Sequence, residues 1–198
     1  VCHEMQCRFI HISTDYVFDG NGTHPYEVND PVGPQSVYGA SKLEGEKRVA
    51  AADPDAIIIR TSWVYSAFGK NFVKTMLKLM NERKEISVVN DQLGAPTWAA
   101  DLAEVIMHII AGDKWIPGIY HYSHAGLISW FDLAKAIAEM TGASCTVNPV
   151  PTTQFPTPAK RPAYSAMDTS KIIEVYGVIT PDWRSQLSIA LEKIKKHL

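Results

Sequence analysis

The chain has 198 residues, 46% hydrophobic and 20% charged, which is enough apolar material for one large domain or a domain and a half. Its formal net charge of −2 argues against the basic surface that nucleic acids or anionic membranes would require. No apolar run approaches the roughly 20 residues that span a bilayer, and we expect no signal peptide. The three cysteines form no CxxC pair, so we expect reduced thiols in a cytoplasmic protein.

Strand-like and helix-like patterns alternate along the chain. In order, we expect a strand at 8–13, a loop at 19–35, a helix at 36–52, a strand at 55–60, a helix at 71–83, a strand at 86–89, a helix at 98–111, a strand at 118–122, a helix at 129–141, a strand at 146–150, a proline-rich loop at 151–162, and helices at 169–176 and 183–197. The run at 55–60 is typical of a strand buried on both faces of a parallel sheet. The alternation predicts an α/β fold with a mainly parallel sheet and a smaller second lobe.

Local signals place the ends of two helices. Ser36 is a candidate N-cap for the helix at 36–52, Ser129 caps the helix at 129–141, and Gly142 stops that helix. The helix at 36–52 is expected to turn an apolar stripe toward the core, formed by Ala40, Leu43, Val49 and Ala50.

Tyr38 and Lys42 are four residues apart in the predicted helix at 36–52, so their side chains project from the same face. An ammonium near a phenol stabilises the phenolate, and such a phenol can donate and accept a proton. The spacing alone leaves an ordinary alternative open, in which Tyr38 packs and Lys42 is solvated.

Thr14 and Asp15 follow the first predicted strand. In open α/β sheets, ligands bind in the crevice at the carboxyl ends of the strands, where a hydroxyl can polarise a substrate carbonyl. An ordinary turn after a strand is the alternative reading of Ser-Thr-Asp.

Five motifs in order carry a more specific signal. They read HISTDYVFDG (11–20), YGASKLEGE (38–46), RTSWVY (60–65), VVNDQLGAPT (88–97) and PTPAKRPAYSAMDTSK (156–171). Together they resemble the extended short-chain dehydrogenase/reductase family and, within it, the dTDP-4-dehydrorhamnose reductases. The resemblance covers nearly the whole chain and implies a Rossmann-like doubly wound parallel sheet with a smaller carboxyl-terminal substrate-binding lobe.

The resemblance implies roles for the residues around the predicted cleft. Tyr38 matches the acid that protonates the 4-keto oxygen, and Lys42 matches the lysine that holds the nicotinamide ribose. Thr14 matches the hydroxyl that orients the keto group, and Ser13 falls among the cofactor contacts.

The resemblance also implies a substrate side. Asp15 and Tyr16 match residues that line the sugar pocket, together with Thr14. Four further positions match the family's substrate side. Trp63 would lie beside the sugar, or else in the core, and Gln92 falls in the nucleotide-side loop. Arg161 would lie near the diphosphate, or else be solvated, and Asn71 would contact a phosphate, or else serve as a helix N-cap. We place no metal ligands.

The implied activity is NADPH-dependent reduction of dTDP-4-dehydro-L-rhamnose to dTDP-L-rhamnose for cell-surface polysaccharide, with NADH as the alternative cofactor. Another nucleotide-sugar reductase or epimerase, or a non-catalytic regulatory or binding subunit on the same scaffold, stays open. The presence of both Tyr38 and Lys42 favours chemistry. A homodimer and a magnesium requirement are left open, and no nucleic acid or membrane partner is expected.

The family begins with a glycine-rich GxxGxxG turn that approaches the cofactor pyrophosphate, and this sequence contains no such turn. We therefore expect the chain to be the carboxyl-terminal part of a longer enzyme and to be inactive alone. Residues 1–95 would form the second half of the dinucleotide-binding domain. Residues 96–198 would form mainly the substrate-binding lobe, with some segments returning to the sheet.

Overall fold

A computed structural model describes residues 1–157 and 159–196. The strands are β1 Ile10–Thr14, β2 Ile57–Thr61, β3 Val64–Tyr65, β4 Glu85–Val89, β5 Leu93–Gly94, β6 Thr97–Trp98, β7 Gly118–His121, β8 Ile128–Ser129 and β9 Thr146–Val150. The helices are α1 Val37–Ala52, α2 Phe72–Glu82, α3 Ala99–Ala111, α4 Trp130–Thr141, α5 Ser170–Tyr176 and α6 Trp183–Lys195, with short 3₁₀ turns at Asp15–Val17 and Thr152–Gln154. The predicted α/β class is confirmed.

The boundaries differ from the sequence expectation in a regular way. Five predicted helices, those starting at 36, 71, 98, 129 and 169, each begin one residue later, because the first predicted residue is the N-cap. Four strands of two residues each, β3, β5, β6 and β8, were not expected, since two residues carry no periodic pattern. The helix predicted to end at 197 closes with Lys195, and His197 lies outside the described residues.

The main sheet is parallel and has the order β1-β2-β7. All five residues of β2 are buried, as the unbroken apolar run predicted. Ile57 and Ile59 pack with α3 and α5 in one apolar cluster. Arg60 points to the opposite face, where it meets α1. Helices therefore cover both faces of the sheet, as in a doubly wound fold.

A second group of helices packs around a separate two-stranded sheet. Strand β4 pairs in parallel with β9, and not with the main sheet. Apolar side chains of α2, α4 and α6 pack against β4 in the largest core cluster, where Leu187 and Ile194 of α6 are completely buried. This cluster forms a second lobe beside the main sheet.

The two core clusters interleave along the chain, so a single boundary at residue 95 does not separate them. Helix α2 and strand β4 precede residue 95 and belong to the second cluster, whereas α3 and β7 follow it and pack on the main sheet. The chain crosses between lobes because β4 finds its partner in β9, some 60 residues further on.

The apolar stripe predicted for α1 is wrong in part. Ala40 and Ala50 are exposed, while Leu43 and Val49 are half-buried. The buried positions of α1 are Gly39 and Glu46. A polar face can lie against the sheet only if its groups find partners there, and Glu46 finds Arg60.

The predicted caps are confirmed. Ser36 Oγ accepts from the backbone N–H of Gly39 at the start of α1. Ser129 forms a capping box with Asp132, and Gly142 ends α4 in the left-handed region with φ of 66°. Within the part of the chain that the structure describes, no helix combines the length and apolar character of a membrane span.

Candidate functional site

A cleft of about 510 Å³ opens where β1 and β2 end. Eight of the residues predicted for the site line it: Ser13, Thr14, Asp15, Tyr16, Tyr38, Lys42, Trp63 and Arg161. The strands are parallel, so their carboxyl ends meet at one edge, and this brings residues far apart in sequence around one cavity.

Tyr38 and Lys42 lie one turn apart on α1 and face this cleft, as their spacing predicted. The Lys42 ammonium is half-buried and donates a 2.6 Å hydrogen bond to the backbone carbonyl of Ile12 on β1. Tyr38 is 53% exposed, and its ring meets the edge of Tyr16 with centroids 5.5 Å apart. Among the described residues, no group forms a hydrogen bond with the Tyr38 hydroxyl, so it is free for a ligand.

Thr14 and Asp15 form the floor of the cleft, and both are buried. Thr14 Oγ1 donates to Asp15 Oδ1 over 3.0 Å and accepts from the Tyr16 backbone N–H over 3.3 Å. The other carboxyl oxygen of Asp15 has no hydrogen-bond partner among the described residues. Burial raises the pKa of Asp15 from its usual 3.8 to about 7, although the hydrogen bond from Thr14 opposes the rise. Near neutral pH the Asp15 carboxyl group is therefore protonated in part of the molecules and ionised in the rest.

Gly39 allows α1 to approach the floor of the cleft. A Cβ at Gly39 would lie 2.2 Å from the backbone oxygen of Tyr16 and 3.0 Å from Pro34 Cβ. Real Cβ atoms do not come so close to a backbone oxygen. The first turn of α1, which carries Tyr38, therefore contacts the turn after Thr14 only because residue 39 has no side chain.

Trp63 forms a side wall and has an unusual backbone. Its φ of 49° lies in the left-handed region, which a bulky residue rarely adopts. Its indole stacks on Trp130, with centroids 3.6 Å apart and planes 10° apart. Gly94 leaves room for the indole, since a Cβ there would lie 2.7 Å from Trp63. Packing on both sides holds Trp63 in this conformation.

A second, smaller cavity of about 80 Å³ adjoins the cleft. Its walls are largely apolar and aromatic, and they include Phe72, Met76, Trp130 and Phe155. Arg161 and Trp130 line both cavities. One cationic side chain thus stands between a polar cleft and an aromatic slot.

The family model of the RmlD substrate binding domain matches residues 1–196 of this chain. The chain belongs to this family. It is 43% identical over 186 residues to the spore coat polysaccharide biosynthesis protein SpsK of Bacillus subtilis, covering 94% of the chain and 64% of that protein. The chain thus spans slightly less than two thirds of the length of this relative.

Two solved structures are similar throughout the chain. A dTDP-4-dehydrorhamnose reductase of Clostridium acetobutylicum is 40% identical, with a TM-score of 0.92 over 98% of the chain and 68% of that structure. A dTDP-4-dehydrorhamnose reductase of Bacillus anthracis in complex with NADP is 38% identical, with a TM-score of 0.90 over 97% and 67%. The Rossmann-like fold predicted for this member of the RmlD substrate binding domain family is therefore confirmed.

Three predicted site residues make internal contacts. Asn71 caps α2 through the Lys74 N–H and donates to the Ser66 carbonyl, and it lines neither described cavity. Gln92 lines the smaller cavity, is buried, and donates to Thr152 Oγ1. Ser13 lines the cleft, but its hydroxyl donates to Glu46. Their ligand-binding roles stay predictions.

Three residues around the site in this family member were not assigned roles from the sequence. Trp130 is the indole that stacks on Trp63 from the start of α4, and nothing in a single sequence joins the two. Arg60 and Glu46 pair beneath α1. The sequence did carry a signal for this pair, because Arg60 ends an otherwise apolar run that predicts a buried strand. A buried arginine requires an acidic partner.

The structure also brings His3, Asp53 and Asp55 together as a group that could hold a metal ion. No metal ligand was expected from the sequence, in which His3 lies far from the neighbouring Asp53 and Asp55. The group lies before the start of β2, at the opposite end of the strand from the cleft. Arg8 lines the same depression, and its positive charge opposes a bound cation.

We predict that Gly39→Ala destabilises the fold by about 1–3 kcal/mol, since the added methyl group overpacks against Tyr16. The matched control is Gly45→Ala in the same helix, where the new Cβ would meet His11 at an ordinary 3.6 Å. Gly45→Ala should stabilise by roughly 0.5–1 kcal/mol, as alanine does in helix interiors. Urea unfolding of both variants measures the difference, and equal stabilities would contradict the close approach.

We predict that Asp15→Asn changes how stability depends on pH. Between about pH 4 and pH 7 folded Asp15 keeps a proton that the unfolded chain has released, so the native protein loses stability as pH rises through the folded pKa of about 7. The difference between the two pKa values corresponds to about 4 kcal/mol. Asp15→Asn should lack this loss, so its stability relative to the native protein should increase from pH 4 to pH 8.

Urea unfolding at several pH values tests this expectation. The control is Asp113→Asn, which changes an exposed carboxylate and should leave the pH profile parallel to that of the native protein. A parallel profile for Asp15→Asn would show that the Asp15 carboxyl group is solvated in the folded state.

Proposed function

We propose that the protein containing this chain reduces a nucleotide-linked 4-keto sugar, dTDP-4-dehydro-L-rhamnose, to dTDP-L-rhamnose. The observation that carries this proposal is the convergence of Thr14, Tyr38 and Lys42 on one cleft that Arg161 joins to an aromatic slot. The similarity to two dTDP-4-dehydrorhamnose reductases supports the choice of sugar.

The donors in the cleft fit a nicotinamide nucleotide. An ammonium has three donors, and Lys42 uses one of them on the Ile12 carbonyl, which leaves two for ribose hydroxyls. When bound, the cofactor supplies a hydride to the carbonyl carbon. We propose NADPH rather than NADH, because the similar Bacillus anthracis structure is in complex with NADP.

Tyr38 is the proton donor in this proposal. Its hydroxyl is exposed to the cleft and engaged by no described residue, so it can meet the keto oxygen of a sugar. The nearby Lys42 ammonium stabilises the phenolate that remains after the proton has moved. Thr14 Oγ1 lies on the floor of the cleft and donates its proton to Asp15. A hydroxyl has one proton, so in this proposal Thr14 orients the keto group by turning that proton from Asp15 to the keto oxygen.

The smaller cavity fits the nucleotide end of the substrate. A planar base is apolar on its faces, and Phe72, Trp130 and Phe155 offer aromatic surface for it. Arg161 lies where the two cavities meet, the position of a diphosphate between a base and a sugar. A guanidinium suits this role because its fork of N–H donors matches phosphate oxygens.

We predict that Tyr38→Phe in the whole protein lowers kcat by about 10²–10⁴-fold, the usual contribution of a general acid. Binding of the sugar nucleotide should change little, since the phenol matters most when charge builds on the keto oxygen. The control is Tyr164→Phe, because the Tyr164 hydroxyl forms no hydrogen bond with a described residue. Steady-state kinetics with NADPH and several nucleotide 4-keto sugars measures both, and near-native kcat in Tyr38→Phe would refute the assignment.

We predict that Arg161→Gln weakens binding of dTDP by about 10–100-fold, because a hydrogen bond to a charged group contributes roughly 1.5–3 kcal/mol. Calorimetry with dTDP and with thymidine separates the diphosphate from the base, and only dTDP should lose affinity. Arg83→Gln, at the exposed end of α2, is the control. Equal loss for thymidine would show that Arg161 contacts the base instead.

A further inference from the structure

Helix α1 lies against the sheet through polar contacts. Its buried residues are Gly39, which has no side chain, and Glu46, which is a carboxylate. Its larger apolar residues, Leu43 and Val49, are only half-buried. Apolar packing is non-directional, so it allows a helix to slide, whereas hydrogen bonds fix both direction and distance.

The main polar contact is a buried ion pair between α1 and the central strand. Arg60 Nε donates to Glu46 Oε1 over 2.9 Å, and Arg60 Nη2 donates to Glu46 Oε2 over 2.7 Å. The two side chains are 3% and 4% exposed. This two-pronged geometry sets the orientation of both groups as well as their separation.

Two further contacts join α1 to β1, one helical turn apart. Glu46 Oε1 also accepts a hydrogen bond from Ser13 Oγ over 2.5 Å. Lys42 Nζ donates to the Ile12 carbonyl. Thr14 directly follows Ser13 in β1, so these contacts lie beside the floor of the cleft. The carboxylate of Glu46 thus connects β2, α1 and β1 at one point.

The surroundings of Arg60 hold it in this place. Its guanidinium lies over the Phe18 ring at 5.0 Å, and Nη1 reaches the Val28 carbonyl. His121 lies nearby, and burial together with the Arg60 charge lowers its pKa to about 4, so the imidazole is neutral at physiological pH. Glu46 is therefore the group that balances the charge of Arg60.

Tyr38 depends on this arrangement. The hydroxyl of Tyr38 has no hydrogen bond with a described residue, so its place in the cleft follows from where α1 lies. We propose that Glu46 and Arg60 are positioning residues for the reaction, which set the distance between the Tyr38 hydroxyl and Thr14. This inference rests on the proposed function, and it adds two residues that touch neither substrate nor cofactor.

The test replaces the pair by Glu46→Met together with Arg60→Met in the whole protein. Removing both charges leaves no unpaired buried ion, and such replacements are often nearly neutral for stability. The expected result is a Tm within a few degrees of the native value and a kcat lowered by about 10-fold or more, with KM for the sugar nucleotide within about twofold. A displacement of about 1 Å at reacting groups can cost up to about 10²-fold in rate.

The matched control is Glu44→Met together with Arg48→Met. This pair lies on the same helix with the same residue types and a 2.8 Å contact, but its side chains are 53% and 79% exposed. It should leave kcat unchanged. If the buried double variant is folded and turns over within twofold of the native protein, the proposal is overturned.

If the double variant does not fold, the kinetics of the Arg60→Lys variant provide the test instead. Lysine keeps the charge and most of the volume but cannot form the two-pronged contact. We expect a lower kcat per folded molecule at unchanged KM, well below the Tm. A purely structural pair would lower the Tm and leave the kcat of the folded fraction unaltered, and that outcome would also overturn the proposal.

A measurement without turnover separates this proposal from the proposed function. Amide hydrogen exchange in α1 should be faster in the buried double variant than in the native protein and in the exposed double variant. If the native protein reduces no nucleotide 4-keto sugar, the proposed function fails while this comparison still tests the positioning of α1. Unchanged exchange in α1 would refute the positioning directly.

Discussion

The architecture of the site depends on the ion pair between Arg60 of β2 and Glu46 of α1. Taking two charges out of water costs free energy, and good geometry with further hydrogen bonds is needed to recover it. The pair meets this requirement through two short contacts and the added bond from Ser13. Because the contacts are directional, they fix the position of α1 on the sheet, and Tyr38 and Lys42 take their places in the cleft from that position.

The cleft itself arises where two layers meet. The main parallel sheet supplies the floor at the ends of β1 and β2, and α4 of the second lobe supplies Trp130. Trp63 leaves the end of β2 and stacks on Trp130 from the other lobe. Their stacked rings make a shared wall, so a ligand that fills both cavities contacts both lobes. Arg161 is the cation at that junction.

Two features of the cleft cost stability and are held by the surrounding fold. Asp15 is a buried carboxyl group with an unpartnered oxygen, and its raised pKa records the cost of ionising it there. Trp63 has a left-handed backbone conformation that costs of order 1–3 kcal/mol in non-glycine residues. Both residues line the same cavity. Such costs gather at functional sites, because a binding surface needs groups placed where packing alone would not place them.

The sequence by itself determined the features that depend on neighbours along the chain. The caps at Ser129 and Gly142 and the common face of Tyr38 and Lys42 follow from spacings of a few residues, so local geometry decides them. Only the tertiary structure decided which strands pair and which helix faces are buried. Strand β4 pairs with β9, which is distant in sequence. Helix α1 buries Glu46 rather than its alanines because Arg60 on β2 supplies the ion-pair partner. A buried charge is stable only beside its partner, and a single sequence does not show which partner the fold brings to it.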